Sequence, residues 1–182
     1  MISLFSTKRY LPVRLEAFNA TEARSQDALL DVLAQFSVET NPRYQPERGD
    51  TFCNIAVWDA TRALGCEIPH WCGASGRPAR PGAPGAVELT ANGIVDWLER
   101  HGWEYGWREE SPRLVQELAN RGAPVVAAWR AAAGRHGHVM LVRPGLAGPG
   151  GPRVWGGGAR CVADASVADA FGMLVPRYFA HA

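Results

Sequence analysis

Residues 49–65, GDTFCNIAVWDATRALG, carry the pattern that decides the predicted fold. Apolar side chains recur every three or four residues from Cys53 to Leu64, which is typical of an amphipathic helix with one buried face. Gly65 follows the last apolar position, where a glycine commonly ends a helix. The stretch therefore predicts a short packing helix with Cys53 in its first turn.

Helical patterns flank this stretch, and strand patterns follow it. The other predicted helices cover residues 21–38, 89–102 and 111–122, the last with Ser111 as its N-cap and Pro112 in its first turn. After them the apolar period changes to that of strands. The expected strands lie at 123–129, 138–143, 152–155 and within 173–179, with a helical turn at 166–172. Helices followed by a small antiparallel sheet predict the α+β class.

Length and composition are those of one folded domain. The chain has 182 residues, of which 47% are hydrophobic and 20% charged, so a mainly disordered chain is excluded. We expect one domain over 1–182, with an N-terminal packing segment at 1–40 and a catalytic core at 41–182. A net charge of +1 argues against nucleic-acid binding. Without a long apolar run or a signal-peptide pattern, we expect synthesis in the cytoplasm and no membrane span.

Cys53 is the strongest candidate for chemistry. The first turn of a helix favours a thiolate, because its unpaired N–H groups and the helix dipole stabilise negative charge, and the same N–H groups can stabilise an oxyanion. The alternative is a small buried apolar residue, as most free cysteines are. A nucleophilic thiol also needs a base. His138, which begins a predicted strand, is the expected base; His136 is its rival, and a core histidine is the structural alternative.

A cysteine at a helix N-terminus, followed further along by the strand GHVMLV at 137–142, resembles the papain-like cell-wall hydrolases of the NlpC and CHAP types. The resemblance covers about residues 41–145, although the family's usual DCSG motif is replaced here by TFCNIAVWD. It implies a papain-like α+β fold in which the cysteine helix packs on a small antiparallel sheet. It also implies a peptidoglycan substrate, cleaved at an amide bond of the stem peptide through Cys53, His138 and an acyl-enzyme. No cofactor and no metal are implied.

The resemblance extends to further site residues. Members of the family carry a third polar residue on the strand after the histidine, but the corresponding segment PRVWGGGARC, residues 152–161, offers none. Asp164 is the candidate for that role, with a backbone carbonyl or a water molecule as the alternative. Tyr44 and Gln45 lie where the family places an oxyanion donor. Asn54, next to the nucleophile, is expected to contribute to substrate binding.

The same resemblance implies a route to the cell wall and leaves two other functions open. The protein would act in the periplasm as a phage lysis or tail component, or as an antibacterial effector delivered by a secretion system and paired with an immunity protein. One alternative function is a peptidase of the same fold that acts on a non-wall protein. The other is a catalytically inactive binding module, which the absence of a third polar residue favours.

Two further groups of polar residues invite interpretation. Cys66, His70 and Cys72 are close in sequence, but their spacing matches no familiar zinc motif, so we expect no metal and free thiols. Asp59 and Arg62 are three residues apart on the predicted helix, which favours an exposed ion pair.

Aromatic residues concentrate in DWLERHGWEYGW, residues 96–107. Trp97 is expected in the core. Trp103, Tyr105 and Trp107 have two interpretations, since aromatic rings of this kind either stack on sugar rings or fill the core and its rim.

Overall fold

The computed structural model describes residues 9–19 and 21–181. These residues form five α-helices: α1 (Gln26–Ala34), α2 (Cys53–Ala63), α3 (Ala91–Arg100), α4 (Val115–Asn120) and α5 (Val167–Phe171). Short 3₁₀ turns lie at Thr21–Ala23 and Gly102–Tyr105. None of the helices in this part of the chain is long and apolar enough to cross a membrane.

Eight short strands build two antiparallel sheets. The strands are β1 (Trp71–Cys72), β2 (Val87–Glu88), β3 (Trp107–Glu110), β4 (Val125–Trp129), β5 (His138–Val142), β6 (Arg153–Gly156), β7 (Val162–Ser166) and β8 (Arg177–His181). β1 pairs with β2, and the other six form one sheet in the order β3-β8-β4-β5-β6-β7. The α+β class is confirmed. The sequence patterns missed β1 and β2, which are too short to show a period, and they missed β3 and β7, whose sequences WREE and VADAS contain few β-branched residues.

The large sheet lies between two helical layers of unequal size. Neighbouring residues of a strand face opposite sides of the sheet. In β5, Val139 and Leu141 pack in the cluster that contains α1, α2 and α3. Met140 and Val142 pack in a second cluster with α4 and α5. Alternate residues of β5 therefore face different helical layers.

α2 is buried on all sides rather than on one face. Every residue of the helix except Arg62 is buried. Polar side chains within it are satisfied locally: the Thr61 hydroxyl donates to the Val57 carbonyl at 2.8 Å and accepts from the Ile68 N–H at 3.0 Å. The prediction that only one face of this helix is buried was wrong, because segments before and after it in the chain cover the face that was expected to be exposed.

A buried ion pair anchors the chain that leads into α2. The Asp59 carboxylate is 0% exposed and accepts hydrogen bonds from Arg43 Nε at 2.6 Å and from Arg43 Nη2 at 3.1 Å. The Tyr44 hydroxyl donates to the same carboxylate at 3.0 Å. Arg62 lies further away, at 3.9 Å. The predicted Asp59–Arg62 ion pair is therefore present, but its predicted exposure was wrong: Asp59 is buried, and its shorter contacts are to Arg43, sixteen positions earlier in the chain.

The prediction of a helix over residues 111–122 was partly wrong. α4 begins after Leu114, and Ser111 caps no helix; its hydroxyl instead accepts from the Arg113 N–H at 3.4 Å. A serine that bonds the backbone two residues on stabilises a turn, which competes with the first helical turn.

Removal of the Asp59 carboxylate should be strongly destabilising. Asp59→Ala removes the carboxylate that accepts two hydrogen bonds from the largely buried Arg43 guanidinium, so we expect the free energy of unfolding to fall by about 3–5 kcal/mol. Urea denaturation measures this change.

Asp96→Ala is the matched control, because Asp96 pairs with Arg130 at a site where both side chains are partly exposed. Such a pair contributes at most about 1 kcal/mol. Equal losses in the two variants would contradict a special role for the buried network.

Candidate functional site

A cleft of about 450 Å³ opens at the N-termini of α2 and α3. Cys53 and Asn54 line it from α2, Thr90 to Asn92 line it from α3, and the loop before β5 supplies residues 134–137. The rest of the lining consists of Tyr10, Asp50, Thr51, Phe52 and Glu88. The cleft therefore contains the predicted nucleophile at the start of its helix.

Cys53 is the first residue of α2 and is only 3% exposed. Burial raises the pKa of its thiol, while hydrogen bonds from the backbone N–H groups of Val139, Asn54 and Cys53 itself act in the opposite direction. Phe52 provides no side-chain cap to the helix. The N–H groups at this end are consequently directed at the sulfur rather than at a capping side chain, and they suit an anion at that position.

His138 lies on the other side of the sheet. Its ring packs on Phe171 of α5 with centroids 4.7 Å apart, and it lines a separate pocket of about 170 Å³ together with Met140 and Asp169. Burial lowers its pKa to about 4, so the ring is neutral at physiological pH. No hydrogen bond connects it to Cys53 within residues 9–19 and 21–181.

The cysteine helix α2 does not pack on the face of β5 that carries His138. α2 covers the face of β5 that carries Val139 and Leu141, whereas His138 lies on the opposite face with Met140. The role of His138 as the base stays a prediction, but the structure does not bring its ring into the cleft.

The cleft contains His136 instead. His136 is exposed and lines the cleft with Cys53 and Arg135. Asn92 fixes the loop that carries it: its side chain donates to the Arg135 carbonyl at 3.0 Å and accepts from the Ala131 N–H at 2.9 Å. The sequence predicted His136 as a rival base. It did not predict the role of Asn92, because an amide in the first turn of a predicted helix does not by itself indicate a contact with a distant loop.

Gly137 is required for this close approach. A Cβ atom there would lie 2.4 Å from the Asn92 side-chain oxygen and 2.6 Å from the Trp129 carbonyl. A side chain at this position would push the loop off α3, so the glycine before the strand controls where the His136 segment lies.

Three predicted site residues lie outside the cleft. Asp164 forms ion pairs with Arg143 and, at 2.6 Å, with Arg153, so the prediction that it orients His138 was wrong. Tyr44 is fully buried with its hydroxyl on Asp59, which excludes it as an oxyanion donor. Gln45 donates to the carbonyls of Val38 and Glu39 at 3.1 and 3.0 Å and is likewise engaged elsewhere.

Asn54 does line the cleft. Its side-chain N–H donates to the Leu89 carbonyl at 3.0 Å, which joins the start of α2 to the segment that leads into α3. Asn54 thus positions two sides of the cleft relative to each other. A direct contact with substrate stays a prediction.

Cys161 is a neighbour of the nucleophile that the sequence did not single out. It packs in the same core cluster as Cys53, and its thiol lies 3.1 Å from the Tyr44 carbonyl, to which it donates. All four cysteines are free thiols. Among the described residues, no cluster of His, Cys, Asp or Glu is suited to hold a metal ion, and Cys66, His70 and Cys72 form none.

A buried histidine lies behind one wall of the cleft. His70 is 0% exposed, and its ring stacks between Tyr10 at 5.8 Å and Trp58 at 5.0 Å. Its Nε2 atom is 3.3 Å from the carboxylate of Glu88, a residue of the cleft lining. Burial lowers the pKa of His70 to about 4 and raises the pKa of Glu88.

The sequence matches no protein-family model and no curated protein. The case for a function therefore depends on the cleft and on the residues that line it.

Protonation of the buried His70 and of the half-buried His138 should destabilise the fold in mild acid. The pKa values of His70 and His138 in the folded state are about 4, whereas an unfolded histidine has a pKa of about 6.5. Between these values the unfolded chain binds more protons, so stability is complete above about pH 6.5 and falls as the pH decreases towards 4, by up to about 3 kcal/mol for each histidine.

His70→Phe tests this assignment, because phenylalanine keeps the stack with Tyr10 and Trp58 but cannot bind a proton. Urea unfolding at pH values from 7 to 4 should give a shallower pH dependence for the variant than for the wild type. Parallel curves would show that His70 contributes nothing to the acid sensitivity.

Proposed function

We propose that the protein is a cysteine-dependent hydrolase that cleaves an amide bond in peptidoglycan stem peptides, with Cys53 as nucleophile. One observation carries the proposal: the Cys53 sulfur lies at the N-terminus of α2, among backbone N–H donors, in a cleft whose lining also includes a histidine. We further propose that the fold is papain-like and related to the NlpC and CHAP hydrolases, because a buried cysteine helix packs on an antiparallel sheet.

The reaction begins with transfer of the Cys53 proton. Since burial raises the pKa of this thiol, the resting group is neutral and needs a base during attack. His136, exposed in the same cleft, takes the proton in this mechanism and returns it to the leaving amine. The sulfur attacks the carbonyl carbon, the N–H groups at the start of α2 stabilise the oxyanion, and water hydrolyses the acyl-enzyme.

The chemistry of the cleft lining supports a peptide with charges of both signs. Asp50 and Glu88 supply carboxylates, while Arg135 and His136 supply basic groups. Stem peptides carry amines and carboxylates, and both can be paired there. We further propose that a phage or a secretion system delivers the protein to the periplasm. In the second case, an immunity protein is its partner.

A binding module without catalytic activity is the second candidate, and the state of the thiol favours it. Cys53 is buried with a raised pKa, and its sulfur has no hydrogen bond to a histidine in the described ranges. A peptidase that acts on a non-wall protein differs from our proposal in substrate only, and the fold does not distinguish the two.

Digestion of purified sacculi tests the nucleophile. Wild-type protein should release fragments with new amine termini at one defined bond, identified by mass spectrometry, and Cys53→Ala should release none because no acyl-enzyme can form. Cys72→Ser is the matched control, since Cys72 is a partly exposed thiol outside the cleft.

If folded wild-type protein and Cys53→Ala both leave several wall types intact, the wall-hydrolase proposal fails. Reaction of Cys53 with iodoacetamide at neutral pH then separates the remaining candidates. A reactive thiol favours a non-wall substrate, and an inert thiol favours the binding module.

The two histidines make a second, paired test. We expect His136→Ala to lower kcat/KM by about 10²–10⁴-fold, as loss of a general base does. His138→Ala should mainly lower the melting temperature, because its ring packs on Phe171. The reverse result, with activity lost in folded His138→Ala and retained in His136→Ala, would make His138 the base and require a rearrangement of β5.

A further inference from the structure

A second concave site lies at the other end of α3. This site, the Trp103 groove, has a volume of about 330 Å³ and is formed by the C-terminal part of α3, the 3₁₀ turn after it, and strands β3 and β8. Trp103, Trp107 and Phe179 supply its aromatic lining, and Glu99, Glu109 and Arg177 supply its charged rim. None of these residues lines the Cys53 cleft.

The aromatic lining combines an open ring with a buried one. Trp103 is 61% exposed, which is unusual for so large an apolar side chain, whereas Trp107 is 1% exposed. The indole N–H of Trp107 has no hydrogen-bond partner in the described part of the chain. A buried donor without a partner is costly to the fold.

The charged rim is held in place before any ligand binds. Arg177 pairs with Glu99 and donates to both carboxylate oxygens of Glu109, at 2.8 and 2.6 Å. The Arg177 guanidinium also lies over the Phe179 ring, 5.2 Å from its centroid. These contacts leave little side-chain freedom to lose on binding, which favours recognition of a ligand with fixed geometry.

Arg108 fixes the exposed tryptophan. Its Nη1 atom donates to the Trp103 carbonyl at 2.7 Å and to the Trp107 carbonyl at 2.9 Å, and so joins the 3₁₀ turn to strand β3. The backbone that carries the Trp103 ring is therefore held against the edge strand of the sheet.

We propose that the Trp103 groove binds a pyranose saccharide. A pyranose ring has an apolar C–H face that fits against an exposed indole, and hydroxyl groups at its edge that bond to carboxylates and guanidinium groups. The two carboxylates and two arginines at the groove balance in charge. That balance suits an uncharged ligand rather than a polyanion or a basic peptide.

The position of the groove connects it to the Cys53 cleft. Asn92 lines the cleft and Glu99 lines the groove, and both belong to α3. At 1.5 Å per residue the helix separates them by roughly 10 Å. A glycopeptide can therefore place its sugar in the groove and its peptide in the cleft; this joint occupation rests on the proposed function, while saccharide binding itself does not.

Titration with a tetrasaccharide of β-1,4-linked N-acetylglucosamine, followed by isothermal calorimetry, tests the groove. We expect the wild type to bind and Trp103→Ala to bind about ten-fold more weakly or worse, because the ring that stacks on the sugar is lost. Glu109→Gln should also weaken binding. Met173→Ala, at a 99% exposed position outside the groove, should bind as the wild type does.

Equal melting temperatures establish that the variants are folded. A tetrasaccharide of β-1,4-linked glucose is titrated in parallel, and binding of either sugar that depends on Trp103 supports the proposal. Absence of binding to both sugars at millimolar concentrations, or binding that Trp103→Ala leaves unchanged, would overturn it.

Cys53→Ala separates this proposal from the hydrolase proposal. The variant should bind the saccharide with unchanged affinity, since Cys53 lies outside the groove. Intact saccharide binding without any wall cleavage by the wild type would overturn the proposed function alone.

Discussion

The packing of α2 against strand β5 is the contact on which the rest of the structure depends. α2 is buried along almost its whole length, and Val139 and Leu141 provide the sheet surface beneath it. The contact places the Cys53 sulfur next to the Val139 N–H, at the edge where the loop before β5 crosses the start of α3. The cleft exists because three segment ends meet at this edge.

A helix buried on all sides needs hydrogen-bond partners for its polar side chains, and Asp59, which is charged, has the strictest requirement. Its carboxylate accepts from Arg43 and Tyr44, and Arg43 also donates to the Leu11 carbonyl at 2.9 Å. One buried charge thereby joins the helix to the turn before it and to the N-terminal segment. This use explains why Tyr44 is directed into the core and not towards the cleft.

Helix α3 relates the two proposed binding sites. Its first turn holds the His136 loop through Asn92, and its last turn contributes Glu99 to the Trp103 groove. The two sites differ in character, since the cleft lining contains a thiol, a histidine and charged side chains, whereas the groove has aromatic walls and a charge-balanced rim. Taken together, the two proposals require a substrate that is part peptide and part saccharide, with the proposed reaction at one end of the helix and the proposed saccharide site at the other.

The sequence determined the elements whose signal is local. Helical spacing identified α2 with Cys53 in its first turn, and the change of period after residue 122 identified β4 and β5 and hence the α+β class. Gly137 and the candidate histidines were also visible as residues. These predictions succeeded because propensity and periodicity act between near neighbours in the chain.

Only the tertiary structure decided which side chains meet. The two faces of β5 both carry apolar residues, so alternation alone does not tell which face α2 covers, and this choice places His138 beside Phe171 instead of Cys53. Asp164 and Asp59 pair with arginines that lie eleven and sixteen positions away in the chain, respectively. A carboxylate bonds whichever cation the fold brings near, and that depends on the packing of distant segments rather than on the residues beside it in the sequence.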